Sequence, residues 1–270
     1  MGAGAGPKLE RLRSLLAPLD GALLAYSGGV DSALLLRVAH EALGDRLLTV
    51  TVRSELFSDR ELDDARGYAA ALGAHHEIIH IALLREASFI GNPRDRCYGC
   101  KKIIFTRLLR LAGERGLSTV LEGSNIDDEK VFRPGLRALE ELAVRSPLKE
   151  TGLSKEEVRA LAKDLVVPGW DRPSRPCLAT RFPYGAAISP EALERVKRAE
   201  EYLYSLGFRE FRVRDHGELA RIETGKSETA LLNETATAAA VVLEFKKLGF
   251  VNITLDLQGL RSGSWDGDGP

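Results

Sequence analysis

Three cysteines are the residues of this 270-residue chain whose types and spacing best suit chemistry. Cys97 and Cys100 form a Cys-x-x-Cys pair, a spacing found in zinc sites, redox pairs and iron–sulfur ligand sets. Cys177 lies between Arg175 and Arg181, whose charges would stabilise a thiolate and make it a candidate nucleophile. Since an odd number of cysteines cannot form a closed disulfide set, we expect a reducing, cytoplasmic environment.

A second candidate site is the segment Ser-Gly-Gly-Val-Asp-Ser at residues 27–32. The glycines let the backbone approach a phosphate, the hydroxyls of Ser27 and Ser32 can donate hydrogen bonds, and a following helix would attract the anion. Asp31 would repel phosphate unless it caps that helix or holds Mg²⁺. No Gly-Lys-Ser/Thr follows, which excludes a Walker P-loop. We therefore predict an ATP site formed by Ser27, Gly28, Gly29, Asp31 and Ser32.

The overall charge excludes some classes of partner. Lys and Arg number 38 and Asp and Glu number 39, so the formal net charge is −1. A neutral chain is not a generic polyanion binder, which argues against nucleic acid as the substrate. Basic residues nevertheless concentrate around both cysteine segments, which fits small anionic ligands. The apolar runs are too short to span a membrane.

The candidate site residues are separated in the sequence by alternating strand and helix patterns. We predict strands at residues 21–26, 47–53, 77–81 and 118–123, and helices at 8–17, 31–43, 58–72, 100–115 and 154–165. Such alternation predicts an α/β domain with a parallel sheet between helices. The sequence Ser-x-x-Glu, beginning at Ser58 and again at Ser154, indicates capped helix starts.

The segment at residues 167–187 interrupts this pattern, and its prolines predict a long functional loop around Cys177. A second pattern follows, with helices at 190–206 and 227–248 and strands at 210–214, 218–223 and 250–257. We predict a boundary near Ile188, with a domain at 1–187 and a smaller α+β domain at 188–270. The tail at 263–270 is expected to fray.

These features together resemble the LarE family of ATP-dependent sulfur transferases, which make the nickel-pincer nucleotide cofactor of lactate racemase. The resemblance covers nearly the whole chain and includes the phosphate loop, which is similar to the PP-loop of ATP pyrophosphatases. The other matching segments are residues 122–128, 132–138, 145–148, 170–185, 211–217 and 220–223.

The resemblance implies both a fold and a reaction. The fold would be a PP-loop ATP pyrophosphatase domain followed by a smaller α+β domain. ATP would adenylylate a carboxylate of pyridinium-3,5-biscarboxylic acid mononucleotide, and sulfur at the position of Cys177 would displace AMP to leave a thiocarboxylate. Arg212 and Arg214, two apart on a predicted strand and so on one face, look like the family's ligands for the substrate phosphate. Glu200 and Glu223 match acids near that site.

The resemblance also implies a sulfur source. Family members with one cysteine give up its sulfur and end as dehydroalanine, whereas members that also carry Cys-x-x-Cys resemble iron–sulfur carriers. We therefore expect Cys97, Cys100 and Cys177 to hold a [4Fe–4S] cluster supplied by a sulfide donor, with sacrificial transfer from Cys177 as the alternative. The family also forms homo-oligomers.

Two other readings remain open at the level of sequence. A PP-loop tRNA thiolase can use three cysteines and a cluster, although the neutral charge fits tRNA poorly. A zinc-stapled nucleotide-binding protein would use Cys97, Cys100, Cys177 and His216 as a closed site without an open position for chemistry.

Overall fold

The computed structural model describes residues 5–86, 89, 91–130, 133–173 and 175–261, and the tail at 263–270 lies outside them. The chain forms two compact units. The first contains residues up to Leu83 and Asp95–Ser174, and the second contains Leu84–Arg94 and the chain from Arg175 onward. The domain boundary near Ile188 stays a prediction. Cys177 belongs to the second unit and the other two cysteines to the first.

The first unit is built from four strands and seven helices among its described residues. The strands are β1 (Ala22–Ala25), β2 (Leu47–Arg53), β3 (His76–His80) and β4 (Thr119–Leu121). The helices are α1 (Ala5–Leu16), α2 (Val30–Leu43), α3 (Asp59–Leu72), α4 (Arg96–Glu114), α5 (Gly135–Glu141), α6 (Pro147–Glu150) and α7 (Lys155–Asp164).

The four strands form one parallel sheet in the order β3-β2-β1-β4. Alternate residues of β1 point to opposite faces, as strand geometry requires. Leu24 packs with α1, α2, α3 and α7, whereas Leu23 packs with α4 and α5. The prediction of a parallel sheet between helices is therefore confirmed, and β1 lies in the middle of the sheet, where its end presents the phosphate loop.

Two of the helices begin at the predicted capping boxes. The Ser58 hydroxyl accepts from the Glu61 N–H at 3.2 Å while the Glu61 carboxylate accepts from the Ser58 N–H, and Ser154 and Glu157 repeat this pattern at the start of α7. Each box satisfies helix donors that would otherwise lack partners.

The second unit contains helices α8 (Pro190–Ser205), α9 (Thr229–Asn233) and α10 (Thr235–Lys247), and strands β5 (Phe211–His216), β6 (Leu219–Thr224) and β7 (Asn252–Leu255). β5 is antiparallel to β6, and β6 is parallel to β7. The prediction of one continuous helix at 227–248 is wrong, because Glu234 has an extended backbone that separates α9 from α10. The loop around Cys177 also contains a short 3₁₀ helix, Leu178–Arg181.

Candidate active site

The phosphate loop joins the end of β1 to the start of α2 and is held closed by its own serines. The hydroxyl oxygens of Ser27 and Ser32 lie 3.1 Å apart, the Ser27 N–H donates to Ser32 Oγ at 3.3 Å, and the Ser32 hydroxyl donates to the Gly29 carbonyl at 3.0 Å. These bonds fix the loop over the first turn of the helix, so both hydroxyls lie beside the helix N-terminus.

Close contacts explain the glycines around this loop. Gly28 has φ +79°, and a Cβ placed there would lie 3.0 Å from the Glu61 carbonyl oxygen of α3. On the other side, a Cβ on Gly123 would lie 2.9 Å from the Ser32 nitrogen. The backbone of the loop is therefore enclosed between α3 and the segment that follows β4, and neither position has room for a side chain.

The N-terminus of α2 is suited to bind an anion. Its N-cap is Gly29, which has no side chain to cap the helix. Backbone N–H groups in the first turn of a helix need acceptors and carry the positive end of the helix dipole. A phosphate group can supply those acceptors.

Asp31 is the second residue of α2, so it is not the cap of this helix. Asn125 Nδ2 donates to Asp31 Oδ1 at 2.9 Å, and the Asn125 N–H donates to Asp128 Oδ2 at 3.2 Å. Burial is the main cause that raises the pKa of Asp31 above its ordinary value, and the negative charge of Asp128 adds to the rise. A half-buried carboxylate beside a phosphate loop is chemically suited to hold Mg²⁺.

Glu122 connects the end of β4 to the helix that carries the Cys-x-x-Cys pair. Its carboxylate is buried and accepts from the Ser124 N–H at 2.9 Å, from the Ser124 hydroxyl at 2.8 Å and from the Ser146 hydroxyl. The Lys101 ammonium lies 3.6 Å from it. Since Lys101 directly follows Cys100, this ion pair fixes the first turns of α4 against the sheet.

The first turn of α4 carries Cys97 and Cys100, which lie three apart and so on one side of the helix. Cys97 is exposed and Cys100 is half-buried, and neither is in a disulfide. The intervening Tyr98 points to a different neighbour: its hydroxyl donates to Glu141 at 2.8 Å, and its ring lies 4.0 Å below the Arg137 guanidinium. Helix α5 therefore fixes the rotation of the turn that presents both thiols.

Cys177 begins the 3₁₀ helix in the second unit and is half-buried, without a disulfide. The N–H and the hydroxyl of Thr180 both donate to the Cys177 carbonyl, at 3.0 and 2.9 Å. Arg181, at the end of this helix, forms a two-pronged ion pair with Glu200 of α8 at 2.6 and 3.0 Å. The Glu200 carboxylate also accepts from the Val213 N–H at 3.0 Å, which joins the cysteine loop to β5.

A cluster of arginines and acids lies on the β5 and β6 face that adjoins this loop. Arg212 pairs in register with Glu223, and Arg214 with Arg221, so all four share one face. The Arg214 guanidinium binds Glu223 at 2.7 Å and the Thr180 carbonyl. Glu223 also lies 3.2 Å from Arg221. The cluster thus holds the far end of the helix that starts at Cys177.

Arg212 differs from its neighbours in this cluster. It is 8% exposed, and its guanidinium donates a hydrogen bond to the Arg261 carbonyl at 3.0 Å. Within the described part of the second unit, the other three guanidiniums of the cluster have carboxylates within 3.6 Å, and these pairs are Arg181 with Glu200, Arg214 with Glu223, and Arg221 with Asp256. Burial, and then the charges of Arg181 and Arg214, lower the pKa of Arg212 to about 10. A buried guanidinium without a carboxylate partner is available to bind an anionic ligand.

The structure thus brings together several of the residues identified in the sequence. Ser27, Gly28, Gly29, Asp31 and Ser32 form one loop, and Arg212, Arg214, Glu200 and Glu223 form one cluster with the loop of Cys177. Across the described ranges, no three His, Cys, Asp or Glu side chains are arranged to hold a metal ion. No helix in the described residues is long and apolar enough to cross a bilayer.

Sequence reasoning missed the roles of Asn125, Glu122 and Asn92. Asn125 and Glu122 lie in a segment that was recognised only for its resemblance, and their polarity just after a buried strand was the available signal. Asn92 precedes a proline, a dipeptide that marks a turn, but its partners lie 87 to 91 residues away.

Comparison with known proteins identifies relatives along nearly the whole chain, although no protein-family model matches it. An uncharacterized protein of Synechocystis sp. is 42% identical over 95% of this chain and 96% of that protein. Pyridinium-3,5-bisthiocarboxylic acid mononucleotide synthase of Lactiplantibacillus plantarum is 38% identical over 95% of this chain and 92% of that protein. A glutamine-hydrolyzing GMP synthase of Chlamydia muridarum is 26% identical over 70% of this chain and 39% of that protein.

The phosphate loop and these relatives support an ATP-using enzyme. The similarity to the Lactiplantibacillus plantarum synthase covers 95% of this chain. The chain therefore belongs to the LarE family.

Proposed function

We propose that this protein is an ATP-dependent sulfur transferase acting on pyridinium-3,5-biscarboxylic acid mononucleotide. It converts the two carboxylates to thiocarboxylates for the nickel-pincer cofactor of lactate racemase. The observation that carries the proposal is the arrangement of the second unit. There, the helix that begins at Cys177 is bound to a strand face whose buried Arg212 has no carboxylate partner among the described residues. A sulfur nucleophile and an anion-binding group on one surface suit a phosphorylated substrate.

The first step is activation of the carboxylate. The N-terminus of α2 and the hydroxyls of Ser27 and Ser32 bind ATP phosphates. A substrate carboxylate oxygen attacks the α-phosphorus of ATP, an acyl-adenylate forms, and pyrophosphate leaves. Asp31 would hold Mg²⁺, which neutralises charge on the phosphates when bound. The hydrogen bond from Asn125 keeps the Asp31 carboxylate oriented for that role.

Substrate recognition rests on the arginine cluster. Arg212 binds the substrate phosphate by charge-assisted hydrogen bonds. Arg214 is paired with Glu223 and binds the Thr180 carbonyl, so its contribution is to hold the Cys177 helix in place. Glu200 acts in the same way through Arg181. Three of the four predicted substrate residues therefore support the site, and one provides the binding charge.

The second step is sulfur delivery. Sulfur attacks the acyl carbon, AMP leaves, and the carboxylate becomes a thiocarboxylate. Three thiols without disulfides are a suitable donor set for a [4Fe–4S] cluster, so Cys97, Cys100 and Cys177 would hold it. When bound, such a cluster would supply sulfide as the sulfur that is transferred. The Lys101–Glu122 and Tyr98–Glu141 contacts support this assignment because they fix the turn bearing two of the thiols.

The alternative source is Cys177 itself. Its Cβ–S bond would break after acyl transfer, with loss of the Cα proton, to leave dehydroalanine and a thiocarboxylate. This route needs neither Cys97 nor Cys100, whereas the cluster route needs both and an external sulfide donor. We also expect a homo-oligomer and a cytoplasmic location.

The experiment combines anaerobic purification with analysis of turnover. Protein reconstituted with iron and sulfide should show cluster absorption and four irons per chain, and Cys97→Ser should lose both features. With ATP, sulfide and the mononucleotide, mass spectrometry should find product with oxygen exchanged for sulfur and an intact Cys177. Loss of H₂S mass from Cys177 would instead identify sacrificial transfer. A colourless protein with one zinc, or sulfur incorporated into tRNA under the same conditions, would contradict the proposal.

A further inference from the structure

Asn92 connects the segment before α4 to the loop that carries Cys177. Both parts belong to the second unit. Asn92 Nδ2 donates to the Pro183 carbonyl at 2.9 Å and the Phe182 carbonyl at 3.2 Å, and it lies 3.5 Å from the Ala179 carbonyl. In the reverse direction, the Gly185 N–H donates to the Asn92 carbonyl at 3.3 Å. One residue therefore contacts the loop through its side chain and its backbone.

The position requires a small amide side chain with an unusual backbone. Asn92 is 0% exposed and has φ +45°, a left-handed conformation that asparagine adopts more readily than other residues with a Cβ. Its Oδ1 atom is buried without a hydrogen-bond partner in the described chain. Rotating the amide would turn that oxygen towards the carbonyls, so the surrounding acceptors fix Nδ2 as the atom that faces the loop.

Two of the carbonyls that Asn92 binds also accept from backbone N–H groups, Ala179 from Phe182 and Pro183 from Ala186, each at 3.3 Å, and the Asn92 amide adds a further donor. The 3₁₀ helix ends at Arg181, so the carbonyls at and after its end cannot all be satisfied by the helix itself. The Asn92 amide supplies donors to this end of the loop. The Arg94 guanidinium, 5.8 Å from the Tyr184 ring, makes a second contact between the same two segments.

We propose that Asn92 is a positioning residue that fixes the loop carrying Cys177. The two sides of this loop are held by different groups. Arg181 and Thr180 are bound by Glu200 and Arg214, and the segment after Arg181 is bound by Asn92. Without the Asn92 amide the arginine contacts remain, but the segment after the 3₁₀ helix loses the hydrogen bonds from Nδ2 to the Phe182 and Pro183 carbonyls. The consequence for sulfur delivery rests on the proposed function, whereas the clamp itself does not.

The test compares three variants of the full chain. Asn92→Gly keeps the left-handed backbone and removes the amide. Asn92→Asp keeps the shape but faces the carbonyls with an acceptor, so its raised pKa should let a protonated form restore one donor at low pH. Val241→Ala, in the core of α10, is the control for a general loss of stability.

Hydrogen exchange and thiol alkylation are the two readouts that do not require turnover. In Asn92→Gly we expect the amides of Thr180, Phe182 and Gly185 to exchange about tenfold faster or more, because hydrogen bonds at this end of the loop are lost. The β5–β6 amides should keep their rates. Iodoacetamide should modify Cys177 faster by a similar factor while the rates at Cys97 and Cys100 stay constant. At neutral pH, Asn92→Asp should show the same faster exchange and alkylation as Asn92→Gly. As the pH falls, its loop amides should regain protection from hydrogen exchange.

The outcomes separate the clamp from the proposed function. Unchanged exchange and alkylation at the Cys177 loop, or an equal increase in Val241→Ala, would overturn the inference. Faster hydrogen exchange at the loop together with sulfur transfer at the wild-type rate would show that Asn92 holds the loop without affecting the reaction. That result would also overturn the inference. If the wild-type protein transfers no sulfur, the proposed function fails, and the exchange data still decide whether Asn92 holds the loop. Turnover, where present, should show a reduced kcat with an unchanged KM for ATP.

Discussion

Arg212 and Arg214 share one face of β5, and their substitution by alanine should have opposite consequences. Arg214 is fully buried with the Glu223 carboxylate, which is 0% exposed. Arg214→Ala leaves that carboxylate with Arg221 at 3.2 Å. Breaking a buried ion pair costs about 3–5 kcal/mol. Because Arg221 remains beside Glu223, we expect Arg214→Ala to lower the free energy of unfolding by about 3 kcal/mol.

Arg212→Ala should leave the stability nearly unchanged. Burial lowers the pKa of Arg212 to about 10, which means that its charge destabilises the ligand-free fold by about 3 kcal/mol. Alanine removes this penalty. It also removes the bond to the Arg261 carbonyl, worth about 1 kcal/mol, and burial of the side-chain methylenes, worth about 2 kcal/mol. These contributions offset one another.

Binding should show the reverse order. Charge-assisted hydrogen bonds contribute about 1.5–3 kcal/mol, so Arg212→Ala should weaken mononucleotide binding by about 10- to 100-fold. ATP binding should be unaffected because the phosphate loop lies in the first unit. Any folded Arg214→Ala protein should keep the Arg212 charge and lose less affinity.

Urea titration followed by far-ultraviolet circular dichroism measures the stability, and isothermal titration calorimetry measures binding of each ligand. Arg198→Ala, an exposed arginine on α8, is the matched control and should alter neither quantity. Equal destabilisation by the Arg212 and Arg214 variants would refute the reasoning about their partners. Full substrate affinity in Arg212→Ala would refute its role as the phosphate ligand.

The remaining predictions concern the loop, a helix end and the thiol. Cys177→Ser should abolish thiocarboxylate formation but keep ATP–pyrophosphate exchange, and loss of both activities would argue for misfolding. Gly28→Ala should weaken ATP binding, measured by calorimetry, about tenfold or more, because Gly28 has φ +79° and a Cβ there would lie 3.0 Å from a carbonyl oxygen. Gly73→Ala is the control for the backbone angle alone, because Gly73 has φ +69° and a Cβ there would have no atom within 4 Å. Val166→Gly should raise the free energy of unfolding, measured by urea titration, by about 0.5–1 kcal/mol, because Val166 has φ +55° and is 82% exposed. Asp31→Asn should raise the melting temperature of the ligand-free protein and abolish the further rise that MgATP causes. Because the folded-state pKa of Asp31 is raised, the gain in melting temperature should grow as the pH rises through that pKa. A gain that is the same at every pH would contradict burial of the Asp31 charge.

Local signals in the sequence predicted the elements that carry the phosphate loop. The capping boxes at Ser58 and Ser154 and the apolar run before Ser27 depend on residues within four positions of one another, so their structure follows from local rules. The strand order β3-β2-β1-β4 could not be obtained in this way. Each buried strand has the same apolar character, and pairing depends on which helix faces are covered.

The candidate site was predictable in its residue types but not in its partnerships. The sequence indicated Arg212, Arg214 and Glu223 as neighbours on strands, yet nothing in their spacing distinguishes the arginine that is paired from the one that is not. The break at Glu234 between α9 and α10 was likewise invisible, because apolar residues continue on both sides of it. Contacts between distant segments, such as Asn92 with Pro183, leave no periodic trace in a single sequence.

The distinction between Arg212 and Arg214 also resolves an apparent conflict in the charge of the chain. A net charge of −1 suggests no preference for anions. In the cluster, Arg181, Arg214 and Arg221 each nevertheless have a carboxylate within 3.6 Å, and among the described residues Arg212 is the member that has none. Because Arg212 is buried, its charge is poorly screened by solvent and interacts strongly with a single phosphate. If Arg212 binds the substrate phosphate as proposed, one enclosed positive charge would let a neutral protein select a small phosphorylated substrate.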